Sequence, residues 1–169
     1  MDTVELIKEN INEARFELSG TMVDVTPTMC NWAPPGKAHS IGALYAHIIQ
    51  GEDMIISGML QGKAPLWQRD GWDKKLNIPN NSHQQEQWRT MKIDLATIKP
   101  YAEAVTKATE AYLASLKPAD LERKIPVGPP MGDQTVAAIL QVFFAGNVLA
   151  HTGEISALKG VQGFKGYPF

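Results

Sequence analysis

The sequence has little cysteine, little net charge and no long uninterrupted apolar run, and each shortage narrows the range of functions. Cys30 is the single cysteine, which excludes an internal disulfide and a cysteine-based zinc site. The net charge is −2, so no basic field favours nucleic acid or an anionic membrane surface. The N-terminal residues are acidic, and no run of about 20 apolar residues could span a bilayer. We therefore expect a cytoplasmic protein without nucleic-acid or membrane partners.

Apolar residues recur at helical spacing in four long segments of the chain. The predicted helices cover residues 3–22, 40–60, 94–116 and 135–159, with a shorter helix over 82–91. Ser40 and Asp94 are suitable N-caps for the second and third helices, and Asp133 or Thr135 for the fourth. Residues 123–127 fit a short extended piece, but no strand pattern is convincing. The sequence predicts a single all-α domain over residues 1–169, a four-helix bundle with long connections.

The connection over residues 61–81 is the longest irregular part of the predicted bundle. It carries Trp67 and Trp72 among several proline and glycine residues. A connection of this length in a compact domain is usually functional or packed as a lid. We expect the two tryptophans to roof a substrate pocket, with the alternative that they anchor the loop to the core.

The last predicted helix carries three polar side chains where hydrocarbon is expected. On a helical wheel at 100° per residue, Asn147, His151 and Glu154 fall in the same stripe as Leu140 and Phe143. A buried polar group costs a few kcal/mol unless it is paired. A ligand or a hydrogen-bond partner should therefore satisfy these three groups.

The second predicted helix shows a matching anomaly, because Glu52 lies within its apolar stripe and His47 at the edge of that stripe. Helix bundles build metal and cofactor sites from inward-pointing side chains on facing helices. His47 could join Asn147 and His151, whose i, i+4 spacing places them on one helix face. Imidazoles suit zinc, nickel, copper or iron(II). The spacing of these residues is also compatible with a simpler alternative. The histidines and Asn147 would then be hydrogen-bonded core residues, and the carboxylates would form ion pairs or bond the histidines.

Several short motifs follow one another in a distinctive order. They are Ser40-Ile41-Gly42-Ala43-Leu44-Tyr45-Ala46-His47, Gly71-Trp72, His151-Thr152-Gly153-Glu154-Ile155 and the closing segment from Leu158 to Phe169. In order and spacing, over residues 3–169, the chain resembles the DinB-like (YfiT-like) family of four-helix bundles. In that family one histidine of the second helix and a His-x-x-x-His pair on the last helix bind a divalent metal, often zinc or nickel. Characterised members transfer low-molecular-weight thiols to electrophiles or isomerise maleylpyruvate with a thiol cofactor.

The resemblance implies a metal site formed by His47, Asn147 and His151, with one departure from the family pattern. Asn147 stands where the family has the first histidine of the pair, and an amide oxygen is a weaker ligand for zinc or nickel than imidazole. Three outcomes are open. Asn147 binds through its oxygen in a weakened site; Glu52 or Glu154 completes a two-histidine, one-carboxylate set; or the polar groups form a metal-free hydrogen-bonded pocket.

The implied function is a metal-dependent thiol transferase whose small-molecule substrate the sequence does not define. The ion would hold a thiolate, and Glu52 or Glu154 would act as the general base. The alternative is a metal-free bundle that binds a small molecule or serves a structural role as a dimer. The last helix is apolar on nearly every side, since Ile139, Val142 and Leu149 lie away from its main stripe. This pattern predicts a second covered face and a homodimer.

Overall fold

A computed structural model describes residues 2–76, 78 and 85–169, without the side chains of residues 85 and 90. Within these residues the chain is mostly helical. The α-helices are α1 Thr3–Met22, α2 Pro27–Cys30, α3 Ile41–Asp53, α4 Leu66–Arg69, α5 Trp72–Leu76, α6 Gln85–Thr90, α7 Leu95–Ser115, α8 Pro118–Leu121, α9 Val136–Ala138 and α10 Asn147–Val161. Two π-helical segments, Met54–Leu60 after α3 and Ile139–Gly146 before α10, extend the long helices.

Four long helical units form the bundle, which confirms the predicted fold class. α1 packs against α10 and the second π-helical segment, and α3 packs against both α7 and α10. The core consists of the apolar stripes of these helices, with Ile11 on α1, Ile48 on α3, Val105 on α7 and Ile155 on α10 almost fully buried. A cleft lies between α1 and α7, with α3 as its floor.

The predicted N-caps begin the helices at the expected positions. The Ser40 hydroxyl accepts a hydrogen bond from the amide of Ala43 at 3.2 Å, and Asp94 accepts one from Ala96 at 3.0 Å. Thr135, and not Asp133, caps the last helix. These bonds satisfy amide groups that have no partner within their helix. The predicted start of the shorter helix, at residue 82, lies outside the described residues.

A small hairpin and several one-turn helices are the elements that sequence reasoning missed. Strand β1, Lys124–Pro126, pairs antiparallel with strand β2, Asp133–Thr135. The extended piece predicted over 123–127 contains β1, but its partner strand was not expected. The described part of the connection, residues 61–76 and 78, is also more ordered than predicted, because it contains α4 and α5.

By length and composition alone, the helical segment Val136–Val161 is long and apolar enough to span a membrane, contrary to the expectation that no segment could. Its π-helical part and α10 pack against α1, and α10 also packs against α3. These contacts place the segment within the helix bundle. Ile139 is fully buried, whereas Val142 and Leu149 are 65% and 40% exposed. The bundle therefore covers part of the additional apolar surface, and the homodimer stays a prediction.

Candidate functional site

His47 and His151 face each other across the contact between α3 and α10. Their ring centroids are 4.9 Å apart and the rings are nearly perpendicular, at 87°. Ser40 starts α3 seven residues before His47, so the helix fixes the direction of that side chain. Both histidines are half-buried. Each imidazole is thus partly accessible from outside the bundle.

Asn147 lies one turn before His151 and faces the same neighbouring helix. A Cβ atom placed on Gly51 would lie 4.0 Å from the side-chain oxygen of Asn147. Gly51 is one turn after His47 on α3. The amide of Asn147 therefore points into the same interface as the two imidazoles, beside a position that has no side chain.

Glu154 supports His151 from the outer side of the helix. Its Oε2 lies 2.8 Å from Nδ1 of His151, and its side chain is 57% exposed. The prediction that Glu154 lies inside the apolar stripe is therefore wrong. The wheel assumed 100° per residue throughout, but Ile139–Gly146 is π-helical and turns less per residue. The faces assigned across that segment are consequently rotated.

Trp88 packs against His47, and sequence reasoning did not identify it. The two ring centroids are 5.9 Å apart with an interplanar angle of 89°. Trp88 lies on the short helix α6 and is only 2% exposed. A large aromatic residue in an otherwise polar six-residue helix was the signal available in the sequence.

Glu52 belongs to a different cluster from the histidine pair. It is 4% exposed, as its place in the apolar stripe predicted. One oxygen, Oε1, accepts hydrogen bonds from Arg15 on α1 and from the hydroxyl of Thr109 on α7, the latter at 2.6 Å. Burial raises the pKa of Glu52, and the charge of Arg15 opposes that shift. The carboxylate is thus directed toward α1 and α7 and not toward α10.

Asp53 is a buried anchor for the connection that carries the two tryptophans. Its carboxylate accepts hydrogen bonds from the backbone amides of Leu66 and Trp67, at 3.0 and 2.8 Å. It also accepts bonds from the hydroxyls of Ser57 and Tyr101, both at 2.9 Å. The two amide bonds hold the first turn of α4 at the end of α3, and the two hydroxyl bonds fix the carboxylate in place. Sequence reasoning missed Asp53, although two adjacent acidic residues inside an apolar helix were the available signal.

Trp67 and Trp72 both pack against Tyr101. Their ring centroids lie 5.4 and 5.7 Å from that of Tyr101. Trp67 is 3% exposed and borders a cavity of about 30 Å³, which is the volume of about one water molecule. This placement favours the alternative that the tryptophans anchor the loop. Their role in a substrate pocket stays a prediction.

The donor set does not fit a tight three-donor metal site. His47 and His151 offer two imidazoles, and the third position offers the neutral amide of Asn147. Among the described residues, no group of three histidine, cysteine, aspartate or glutamate side chains could hold a metal ion. Glu52 is engaged elsewhere, and Glu154 lies on the Nδ1 side of His151. The metal-ligand roles stay predictions.

The fold and its paired histidines define a four-helix bundle with a polar site between its second and last helices. A sequence profile of the DinB superfamily matches residues 10–155, and the chain belongs to that superfamily. A crystal structure of a conserved protein from Enterococcus faecalis shares the fold, with a TM-score of 0.78 at 22% sequence identity. The match covers 96% of this chain and 99% of that one. A comparison with curated proteins found no match.

Proposed function

We propose that this protein is a small-molecule transferase that moves a low-molecular-weight thiol to an electrophile, with His151 as its general base. The observation that carries the proposal is the hydrogen bond between Nδ1 of His151 and Glu154. The same imidazole also packs against the ring of His47. A carboxylate on one ring nitrogen fixes the tautomer and the orientation of an imidazole. The reaction class is the one that the family resemblance implies.

The proposed reaction needs one proton transfer and one displacement. In the tautomer that carries its proton on Nδ1, the Nδ1–H group of His151 donates a hydrogen bond to Glu154. The other ring nitrogen, Nε2, can then accept a proton. Nε2 removes the proton from the thiol, and the resulting thiolate is the nucleophile. The sulfur forms a bond to the electrophilic carbon, and the leaving group departs with its bonding pair. His151 then returns the proton to the leaving group or to water.

His47 and Asn147 have positioning roles in this proposal. The His47 ring lies edge-on to His151 and Trp88, which restricts the directions from which a thiol can approach. Asn147 offers an amide that can hold a polar group of the substrate between the helices. No step is assigned to a metal, because two imidazoles and an amide oxygen make a weak set for zinc or nickel.

The test measures the consumption of glutathione, L-cysteine and 2-mercaptoethanol in the presence of the electrophile monochlorobimane. We expect the wild type to accelerate at least one of these reactions. His151→Gln should lower the rate by about 100-fold or more, in the range for a lost general base. Glu154→Gln should lower it less, since only the orientation of the imidazole suffers. Glu110→Gln, an exposed change on α7, is the matched control and should leave the rate unchanged.

The same assay distinguishes the competing readings. Equal rates for the wild type and the His151→Gln variant with all three thiols would overturn the proposal. Activity that appears only after zinc or nickel is added, and disappears with a chelator, would instead favour the metal-dependent enzyme. Elemental analysis of protein purified without a histidine tag supplies the corresponding metal content.

A further inference from the structure

The cleft between α1 and α7 is separate from the histidine pair. It has a volume of about 610 Å³, within the range of small-molecule sites. One wall comes from α1, the other from α7, and the floor from Tyr45, Ile49 and Glu52 of α3. From Leu95 to Thr106, the α7 wall spans 12 residues, or about 17 Å at the helical rise. Neither histidine of the proposed transferase site lines it.

The charges along the cleft favour an anion. Arg15 contributes a cation from α1 and Lys99 one from α7, against the single carboxylate of Glu52. That carboxylate is buried and already bound by Arg15 and Thr109. Lys99, by contrast, is exposed, and the described residues provide no ion-pair partner for it. Arg15 and Glu52 offset each other, so Lys99 supplies the uncompensated charge among the residues that line the cleft.

Arg15 also has a hydrogen-bond donor that the protein does not satisfy. Its Nε is buried and has no partner among the described residues. A buried donor without an acceptor costs free energy comparable to a lost hydrogen bond. A ligand oxygen that displaces the side chains covering this nitrogen could supply the missing acceptor. The donor therefore indicates that the polar end of a ligand lies at Arg15, whereas the sign of its charge follows from Lys99.

The remainder of the cleft is apolar. Leu18 and Met22 on α1, Leu95 and Ala102 on α7 and Ile49 on the floor present hydrocarbon. Binding of an aliphatic chain to this surface is favourable, and the free energy gained is proportional to the apolar area removed from water. An inorganic anion would leave these side chains in contact with water.

We propose that the cleft between α1 and α7 binds an amphipathic organic anion, a carboxylate on an aliphatic chain, with its charged end between Arg15 and Lys99. The aliphatic chain lies along the floor between Leu18, Ile49 and Leu95. This site is independent of the transferase proposal, because neither its residues nor its ligand enters that reaction.

The test uses sodium decanoate and decan-1-ol, below their aggregation concentrations, in calorimetric titrations of the full chain. We expect decanoate to bind more tightly than the neutral alcohol of equal length. Lys99→Ala should weaken decanoate binding by about fivefold, the size of an exposed charge interaction, and leave decanol binding unchanged. Lys107→Ala, an exposed change on the same helix but outside the cleft, should alter neither.

A second variant tests the location without disturbing the core. Ser19 is exposed and lines the cleft, so Ser19→Trp should abolish binding of both probes. Asn12→Trp, exposed on the same helix and outside the lining, should retain binding. The proposal is overturned by equal binding of decanoate and decanol, by no decanoate binding at millimolar concentration, or by decanoate binding that Ser19→Trp leaves intact. A dimer that Ser19→Trp dissociates would also overturn it, since a second copy would then occupy the cleft.

Discussion

Replacing Arg15 by methionine should expose the electrostatic cost of burying Glu52. Methionine keeps most of the aliphatic volume and removes the cation that opposes the burial effect on the pKa of Glu52. In the variant, the carboxyl group of Glu52 either stays ionised without its partner or takes up a proton. Breaking a buried pair in this way costs about 3–5 kcal/mol. Protonation of Glu52 sets an upper limit on this loss of stability, because the variant can lose no more than the free energy needed to protonate the carboxyl group. That free energy depends on pH.

The limit follows from the ordinary pKa of the carboxyl group. Above the ordinary glutamate pKa of 4.5, holding Glu52 neutral costs about 1.36 kcal/mol for each pH unit. This gives a limit of about 3.4 kcal/mol at pH 7 and about 0.7 kcal/mol at pH 5. The pKa of Glu52 is higher in the folded chain than in the unfolded chain. Its contribution to the free energy of unfolding is therefore most favourable below the unfolded pKa and is lost as pH rises through the folded pKa. The variant should therefore lose more stability at pH 7 than at pH 5.

Thermal unfolding followed by circular dichroism at pH 5 and pH 7 measures this difference. For 169 residues, the expected fall in Tm relative to the wild type is at most about 9 °C at pH 7 and at most about 2 °C at pH 5, because burial raises the pKa of Glu52 in the wild type too and part of this cost is already present there. Thr109→Val, which removes the other donor to Glu52, should cost about 1.5–3 kcal/mol at pH 7. Lys8→Met, on α1 outside this cluster, is the control for loss of a cation. Equal falls at both pH values for Arg15→Met would refute the reasoning, because lost packing does not depend on pH.

Three further predictions concern the remaining features. Asn147→His should raise zinc or nickel affinity at least tenfold in calorimetry, since it adds the missing imidazole beside the histidine pair; no gain would mean that the geometry is unsuitable. Asp53→Ala should lower the free energy of unfolding by about 3 kcal/mol or more and speed proteolysis within residues 61–76, because two buried amides lose their acceptor; an unchanged digestion pattern would contradict the anchor. If the exposed part of the last helix forms a homodimer, Val142→Lys with Leu149→Lys should halve the mass seen by light scattering, whereas a wild-type monomer at high micromolar concentration would remove that prediction.

Much of the fold was predictable because it depends on local sequence patterns. Helix α1 has the bounds predicted from apolar spacing, and Ser40 and Asp94 act as the caps that their side chains predicted. These features need only residues within one or two turns of each other. The family resemblance extended the prediction to the whole bundle, and the superfamily match confirms it.

The partners of the buried carboxylates were not predictable from local pattern. Glu52 was correctly placed in a buried stripe, but its donors come from 37 and 57 residues away in sequence. Asp53 likewise reaches Tyr101, 48 residues distant. A periodicity argument shows which side of a helix is buried. It does not show which of the neighbouring helices each buried group meets.

The π-helical segment before Asn147 has a consequence for comparing this chain with its relatives. A π-helical turn accommodates an additional residue within an otherwise continuous helix. A relative that is α-helical at Ile139–Gly146 would therefore carry one residue fewer there while presenting the same face to α3. Its sequence would match this one only with a gap inside a helix, a place where alignments rarely put one. An ungapped alignment would then pair Asn147 and His151 with the wrong positions of that relative.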